Sequence, residues 1–368
     1  MKLTILQSNF SKAINQVSRV VGARTTLPVL NNILLSATKG KIELSATDLE
    51  IGIITSTIGK IEEEGEITLP AKLLTDFIAN NRDESIEVIT EGTKATLKSA
   101  HYEAEIVGIS AEEFPKIPTI EQKEEISLAK DQIFSGLKKT VIATANDETR
   151  PVLAGVFFSF DKNELILAAT DSYRLSEIKI KTETEIPERK MIVPSRTINE
   201  VIRLMSSDSV EKVMISSTPN QVSFRLNETQ IVSRLIEGAF PNYKQIIPTE
   251  SKIKVTVDFG EFQAAVKMSS LFAKDSANNN VKIKTGKDTI IISSALLQTG
   301  SAKSEIAAKI TGGEIEVAFN ARYILDILPV ISSKKIEINL NDSFSAGIVS
   351  SPDEPDFIYI IMPLKLDN

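Results

Sequence analysis

The chain repeats itself. Leu69-Pro70-Ala71-Lys72-Leu73-Leu74-Thr75-Asp76-Phe77-Ile78 reappears as Val193-Pro194-Ser195-Arg196-Thr197-Ile198-Asn199-Glu200-Val201-Ile202, and again as Phe319-Asn320-Ala321-Arg322-Tyr323-Ile324-Leu325-Asp326-Ile327-Leu328. Each segment carries an i, i+3, i+4 apolar stripe: Leu74/Phe77/Ile78, Ile198/Val201/Ile202 and Ile324/Ile327/Leu328. That spacing predicts one face of a helix. Pro70 and Pro194 suit the first helical position, where no amide donor is needed. An alternating strand follows each helix, at 85–89, 212–216 and 336–340. A second set recurs upstream: Phe10/Ile14, Ile133/Leu137 and Phe262/Val266, with small residues between them at Ala13, Gly136 and Ala265. Thr47-Asp48 recurs as Thr170-Asp171, and Phe114-Pro115 as Phe240-Pro241. All these matches share one shift of about 125 residues and one order.

The 368 residues therefore read as three copies of one α+β unit. Each copy has two helices backed by many short alternating strands. Boundaries fall in the Pro-bearing stretches 114–126 and 240–252, giving domains 1–120, 121–247 and 248–368. The period is too long for a solenoid repeat, since each copy can hold its own core.

Composition excludes several kinds of chemistry. Cysteine is absent, which rules out disulfides and thiolate sites. His101 is the single histidine, so histidine metal clusters and most catalytic triads are out of reach. No apolar run approaches a membrane span, and the N-terminus reads without a leader; both predict a cytoplasmic protein. The motifs GxxxxGK[ST], GxGxxG and GxSxG are missing. Glu62-Glu63-Glu64 and Glu124-Glu125 sit in Gly- and Pro-flanked polar stretches and read as solvated loops. Oxygen-ligand metal sites stay open on composition alone, but no cofactor, no metal and no enzymatic activity are expected.

The charge is −7 overall, which by itself argues against nucleic acid. Its distribution reverses that reading. The six helical windows together carry +6, leaving −13 for strands and loops. Lys72, Arg196 and Arg322 occupy one position in the three copies, in the first helical turn and away from the apolar stripe. A cation there opposes the helix dipole at a cost of roughly 0.3–1 kcal/mol. Three copies bearing that cost suggest an anion on that face, the plainer alternative being an ordinary solvated surface. Lys12 and Arg19 add to the first copy, Lys138 and Lys139 to the second, Lys267 and Lys274 to the third.

So thin a set of cations cannot hold DNA tightly in physiological salt, because affinity needs many simultaneous phosphate contacts. It suits weak, sequence-blind contact, and retention then requires encirclement. Two chains of three copies would present twelve helices. At about 10 Å each they give a circumference near 120 Å and an axis-to-axis diameter of about 38 Å, wide enough for a duplex.

Longer motifs are more specific. The stretches 24–34 (Arg-Thr-Thr-Leu-Pro-Val-Leu-Asn-Asn-Ile-Leu), 147–155 (Asp-Glu-Thr-Arg-Pro-Val-Leu-Ala-Gly), 169–175 (Ala-Thr-Asp-Ser-Tyr-Arg-Leu), 240–243 (Phe-Pro-Asn-Tyr) and 362–366 (Met-Pro-Leu-Lys-Leu) resemble signatures of the bacterial DNA polymerase III β sliding-clamp family, over essentially the whole chain. The resemblance implies a head-to-tail homodimeric ring around double-stranded DNA, with helices inside and sheets outside. The ring is opened by a clamp-loader ATPase and tethers the DNA polymerase III α subunit. It also implies that many clamp-binding-motif proteins dock through short peptides into one apolar pocket, mapping onto Arg150, Leu153, Thr170, Ser172, Tyr173, Arg174, Leu175, Pro241, Ile246, Ile360, Met362, Pro363 and Leu364, with Asn320 and Tyr323 at its edge. The DNA contacts it implies are Arg24, Lys72, Arg196 and Arg203; helix geometry adds Lys12.

Pro, Met, Leu and Ile from distant segments would make an apolar dent, and Met suits a site that accepts varied peptides. On residue pattern alone, Met362-Pro363-Leu364 reads as a last strand packing on the core, and Thr170-Asp171 as only a turn. Thr47-Asp48 is followed by Leu49-Glu50, and the third copy lacks the Thr-Asp pair near Ser294-Ala295, so only the second copy is expected to hold the pocket. Asp147 stands where a neutral polar residue can contact DNA, Lys365 where the family often has Arg, and Asp367-Asn368 extend past the usual end. Leu271 and Phe272 are candidates to pack on strand 102–107 across a subunit boundary. The alternative functions are a peptide-binding adaptor of this fold that never encircles DNA, and a carboxylate hydrolase.

Overall fold

The six α-helices found among the described residues lie where the apolar stripes place them: α1 Gln7–Val17, α2 Ala71–Asn80, α3 Lys130–Val141, α4 Ser195–Met205, α5 Phe259–Ser270 and α6 Ala321–Ile327. The computed structural model describes residues 1–22, 27–38, 40–118, 120, 125–147, 149–207, 209–273, 279–296 and 300–365. Each helix buries the expected face: Phe10, Ala13, Ile14 and Val17 in α1, Leu74 and Ile78 in α2, Ile198 and Val201 in α4, Phe262, Ala265 and Val266 in α5. Each buried aliphatic or aromatic side chain contributes about 1.5–3 kcal/mol. The small residue between the anchors has a steric reason in α3. A Cβ on Gly136 would sit 2.8 Å from Ile180 Cδ1 and 3.0 Å from Leu167 Cδ1, so the helix lies directly on the strands beneath it.

The helix starts differ from expectation by one position. Pro70 and Pro194 end the preceding strands, and the helices begin at Ala71 and Ser195. Pro70 stands at the N-cap with extended ψ, where its fixed φ and missing N–H cost nothing. The third copy has no proline there. Asn320 caps α6 instead, its side chain accepting from Arg322 N at 2.9 Å.

The chain is a three-domain α+β protein that divides into two compact units: Met1–Lys130 with Glu200–Leu235, and Asp131–Asn199 with Ile236–Asn368. The first unit contains a five-stranded sheet, in the order 59–63, 2–6, 85–91, 94–98, 103–107. It also contains an eight-stranded sheet, in the order 126–129, 212–217, 221–226, 229–234, 51–57, 41–47, 32–38, 65–70. In that sheet the central copy joins the first where Thr229–Ser233 pairs antiparallel with Ile51–Thr55. The second unit contains a ten-stranded sheet, in the order 155–170, 174–194, 357–361, 347–350, 335–340, 253–258, 300–311, 289–296, 280–285, 316–320. Here the central copy joins the third where Arg174–Ile178 pairs antiparallel with Phe357–Ile361. The two seams occupy equivalent places in the repeat, and in both the strand at the seam follows a Thr-Asp turn.

Candidate functional site

The Thr170–Arg174 turn is built from its own side chains. Thr170 Oγ1 donates to the Arg174 carbonyl at 2.7 Å and accepts from Ser172 N at 3.2 Å. Asp171 Oδ1 accepts from Tyr173 N and Arg174 N, both at 2.9 Å. Ser172 takes a left-handed φ of 79° to close the loop. The Tyr173 carbonyl then accepts from Met362 N at 2.8 Å, which fastens the C-terminal stretch to the turn. Farther along, Leu364 N donates to the Ala318 carbonyl at 2.8 Å. The final strand stops at Ile361, so Met362-Pro363-Leu364 is not part of it.

Beside the turn lies an apolar cluster of Ala168, Leu175, Tyr243, Ala346, Ile348 and Ile360, with Phe157, Phe240 and Ile247 packed against it. Phe157 and Phe240 stack at 4.8 Å with 9° between their planes, and Tyr243 meets Phe240 edge-on at 5.9 Å. The Tyr243 hydroxyl donates to Glu177, a carboxylate that is itself buried. Burial raises the Tyr243 phenol far above its ordinary range, and the neighbouring Glu177 raises it further, so it stays a donor. Tyr173, Ile246 and Met362 remain substantially exposed nearby in the same unit.

Arg174 is 8% exposed. Its Nε donates to Asp171 Oδ2 at 3.0 Å, and its Nη1 to Asp326 Oδ2 at 2.5 Å. Tyr323 lies with its ring centroid 4.6 Å from the guanidinium carbon. Burial pulls the guanidinium down, but Tyr359, Asp326 and Asp171 outweigh it, and Arg174 stays charged.

Most of the expected docking residues therefore sit in one network: Thr170, Ser172, Tyr173, Arg174, Leu175, Ile360, Met362 and Tyr323, with Arg150 donating from Nη1 to Ser172 Oγ at 2.8 Å. Pro241 accepts from Tyr243 N at 2.8 Å at the entry to the same segment, which continues to Ile246. Leu153 is buried in a short 3-10 turn, Asn320 is occupied as the α6 cap, and Pro363 and Leu364 are half-buried. The repeat pattern did not single out Asp326, Glu177 or Phe344. Asp326 had a signal, being a carboxylate inside the apolar helix pattern. Phe344 stands 78% exposed on a turn held by Asp342, two residues before Ala346 of the cluster.

The helix cations divide. Lys12, Lys72, Arg196, Lys267 and Arg322 are exposed. Arg203 is engaged: Nε donates to Glu200 at 2.7 Å, and its two terminal nitrogens donate to the Asn15 and Gln16 carbonyls at 3.1 and 2.8 Å. A cation there satisfies carbonyls left unpaired at the C-terminal end of α1. Lys139 does not share the exposed face expected of it. It is buried, pairs with Glu354 at 2.6 Å and lies over the Phe357 ring. Asp147 is tied to Thr149 within its own loop, which lowers its carboxyl. Arg24, Lys274, Leu366, Asp367 and Asn368 lie outside the described residues. Among the described residues no group of His, Cys, Asp and Glu could hold a metal ion, and no helix is long and apolar enough to cross a membrane.

Three family models match in sequence: DNA polymerase III beta subunit, N-terminal domain, over residues 1–118; its central domain over 127–242; and its C-terminal domain over 244–365. The beta sliding clamps of Staphylococcus epidermidis and Staphylococcus aureus are each 30% identical over 375 residues, covering 99% of both chains. Among solved structures, the DNA polymerase sliding clamp of Bacillus subtilis superposes with a TM-score of 0.94 at 28% identity, and the DNA polymerase III beta subunit of Thermotoga maritima with 0.93 at 26% identity. Both comparisons cover 100% of each chain.

Proposed function

Because the chain belongs to the DNA polymerase III beta subunit family, the sliding clamps, we propose that it is a processivity clamp that encircles duplex DNA without reading sequence. The observation that carries this reading is the match of all three domains, in order and over the full length. The three copies are modules bounded near residues 120 and 247, and two chains join head to tail into a ring of six modules. Strand 103–107 ends the five-stranded sheet and leaves an edge to be covered. Tyr102 just before it, Val107 at its end and Leu271 beyond α5 are exposed apolar side chains suited to that junction. Lys12, Lys72, Arg196 and Arg24 meet phosphates weakly, and topology keeps the ring on its polymer.

Tyr173, Ile246 and Met362, exposed near the buried apolar cluster beside the Thr170–Arg174 turn, dock short peptides of the replicative polymerase α subunit, the clamp loader and other clamp-binding proteins. Two apolar anchors at about 1.5–3 kcal/mol each, less ordering costs, give an affinity that partners can exchange. The protein acts as an accessory subunit in the cytoplasm. Two measurements test this. The solution mass should be twice 40.3 kDa. After loading, the protein should stay on circular DNA and leave it once linearised; equal retention on both forms, or a monomer in solution, refutes the ring.

A further inference from the structure

Helix α6 grips one guanidinium twice. Tyr323 and Asp326 are three residues apart, so they share a helix face. Tyr323 lays its ring over Arg174, and Asp326 takes a hydrogen bond from Arg174 Nη1 at 2.5 Å. The Tyr359 hydroxyl, 3.4 Å from the same nitrogen, lies 3.1 Å from the Tyr323 carbonyl and closes the circuit. A guanidinium is planar with donors in a fixed fork, so two partners at different edges define its orientation. Asp171 is one partner, but its other oxygen already holds two amides of the turn. Asp326 supplies the second anchor and comes from a different repeat copy. Without its charge, Arg174 would keep the Asp171 contact while the far end of the fork lost its ion pair under Tyr323.

Resting on the peptide-docking reading, the geometry points to Asp326 as a positioning residue for partner docking: it holds Arg174 flat beneath Tyr323 and so fixes Tyr323 against the Thr170–Arg174 turn, whose Tyr173 carbonyl holds Met362. Asp326 does not touch the peptide. It acts by removing motion that binding would otherwise have to freeze. Ordering one such side chain on binding lowers affinity roughly 3–10-fold.

The test uses the full-length protein and a fluorescein-labelled peptide carrying the family's clamp-binding motif, with affinity read by anisotropy. Asp326→Asn is expected to bind 3–10-fold more weakly than the unaltered chain, and Asp326→Glu, which restores the charge, to within twofold. The Arg174 Nε–H resonance should be slow to exchange in the unaltered protein and in Asp326→Glu, and fast in Asp326→Asn. If Asp326→Asn proves poorly folded, Arg174→Lys decides: it keeps the charge, loses the fork and should weaken the peptide by the same factor. Undiminished binding by Asp326→Asn or Arg174→Lys overturns the positioning role and leaves peptide docking intact. Failure of the unaltered chain to bind removes docking itself and the proposal with it.

Discussion

The two Thr-Asp turns share a backbone and part company in their side chains. Thr47 Oγ1 donates to the Ile51 carbonyl at 2.9 Å and accepts from Leu49 N at 3.0 Å, as Thr170 does with Arg174 and Ser172. Asp48 Oδ1 accepts from Glu50 N and Ile51 N at 3.0 and 2.8 Å, as Asp171 does one copy later. Leu49 and Ser172 have φ of 78° and 79°. The Glu50 carbonyl accepts from Arg234 N at 3.0 Å, where that of Tyr173 accepts from Met362 N. Yet Ile51 stands where Arg174 stands, Gly52 where Leu175 stands, and Arg234 where Met362 stands. Ile117, from the connector after the first copy, sits on Gly52; a Cβ there would lie 2.7 Å from Ile117 Cγ2. Glu50 and Arg234 face each other across 3.7 Å at an exposed rim. The first turn thus borders a small cavity of about 190 Å³ that mixes charge with its own connector, while the second borders an apolar cluster. Duplication copied the scaffold, and the side chains on it give the two copies different surroundings.

The largest contrast lies at the charged positions. Arg174→Ala leaves Asp171 and Asp326 without their buried partner, and should lower the free energy of unfolding by about 3–5 kcal/mol in urea titrations. Arg234→Ala removes half of an exposed pair and should cost about 0–1 kcal/mol. Equal losses would mean that the two turns are anchored alike. Next comes Gly52, the counterpart of Leu175. Gly52→Ala forces Ile117 off its seat and should cost about 1–3 kcal/mol, a cost recovered in part in an Ile117→Ala background, which removes the crowding Cγ2, Cγ1 and Cδ1 atoms. No recovery would show that the connector is not what fills the first turn.

Much of this was legible in the sequence, because a repeat is its own control. The apolar stripes of all three copies gave the helices, and alternation gave the strands. Seam pairing was not legible: nothing in the residues of 229–234 names strand 51–57 as its neighbour, since pairing across copies is set by tertiary packing. The residues proposed for docking were named through resemblance, while pattern alone left 362–364 as a core strand. The two lysines side by side in α3 show the limit of helix arithmetic. Lys138 is exposed, but Lys139 turns inward because Glu354 and Phe357, more than 200 residues away in sequence, receive it. Arg203 repeats the lesson: Glu200 three residues before it is legible, but its other two partners are backbone carbonyls of α1, which a sequence never displays.

The smallest effects calibrate the comparison. Thr47→Val and Thr170→Val each remove a hydroxyl that bonds one carbonyl and one amide, so each should cost about 1 kcal/mol, and the two costs should agree. A clear difference would show that the shared backbone hides unequal strain. Acid supplies a last reference, from a carboxylate in neither turn. Asp83 accepts from His101 through the ring at 2.7 Å and through the backbone amide at 2.8 Å. The His101 ring chiefly, and Ser99 after it, hold the Asp83 carboxyl down at about 2, below its ordinary value of 3.8. A depressed folded-state value means that the contribution is whole above about pH 4 and disappears as pH falls toward 2. His101→Ala should therefore flatten that limb of the stability-pH curve while leaving both threonine variants' losses unchanged, because the sites are separate. If His101→Ala altered those losses, the turns would be coupled to this hairpin and could no longer be compared on their own.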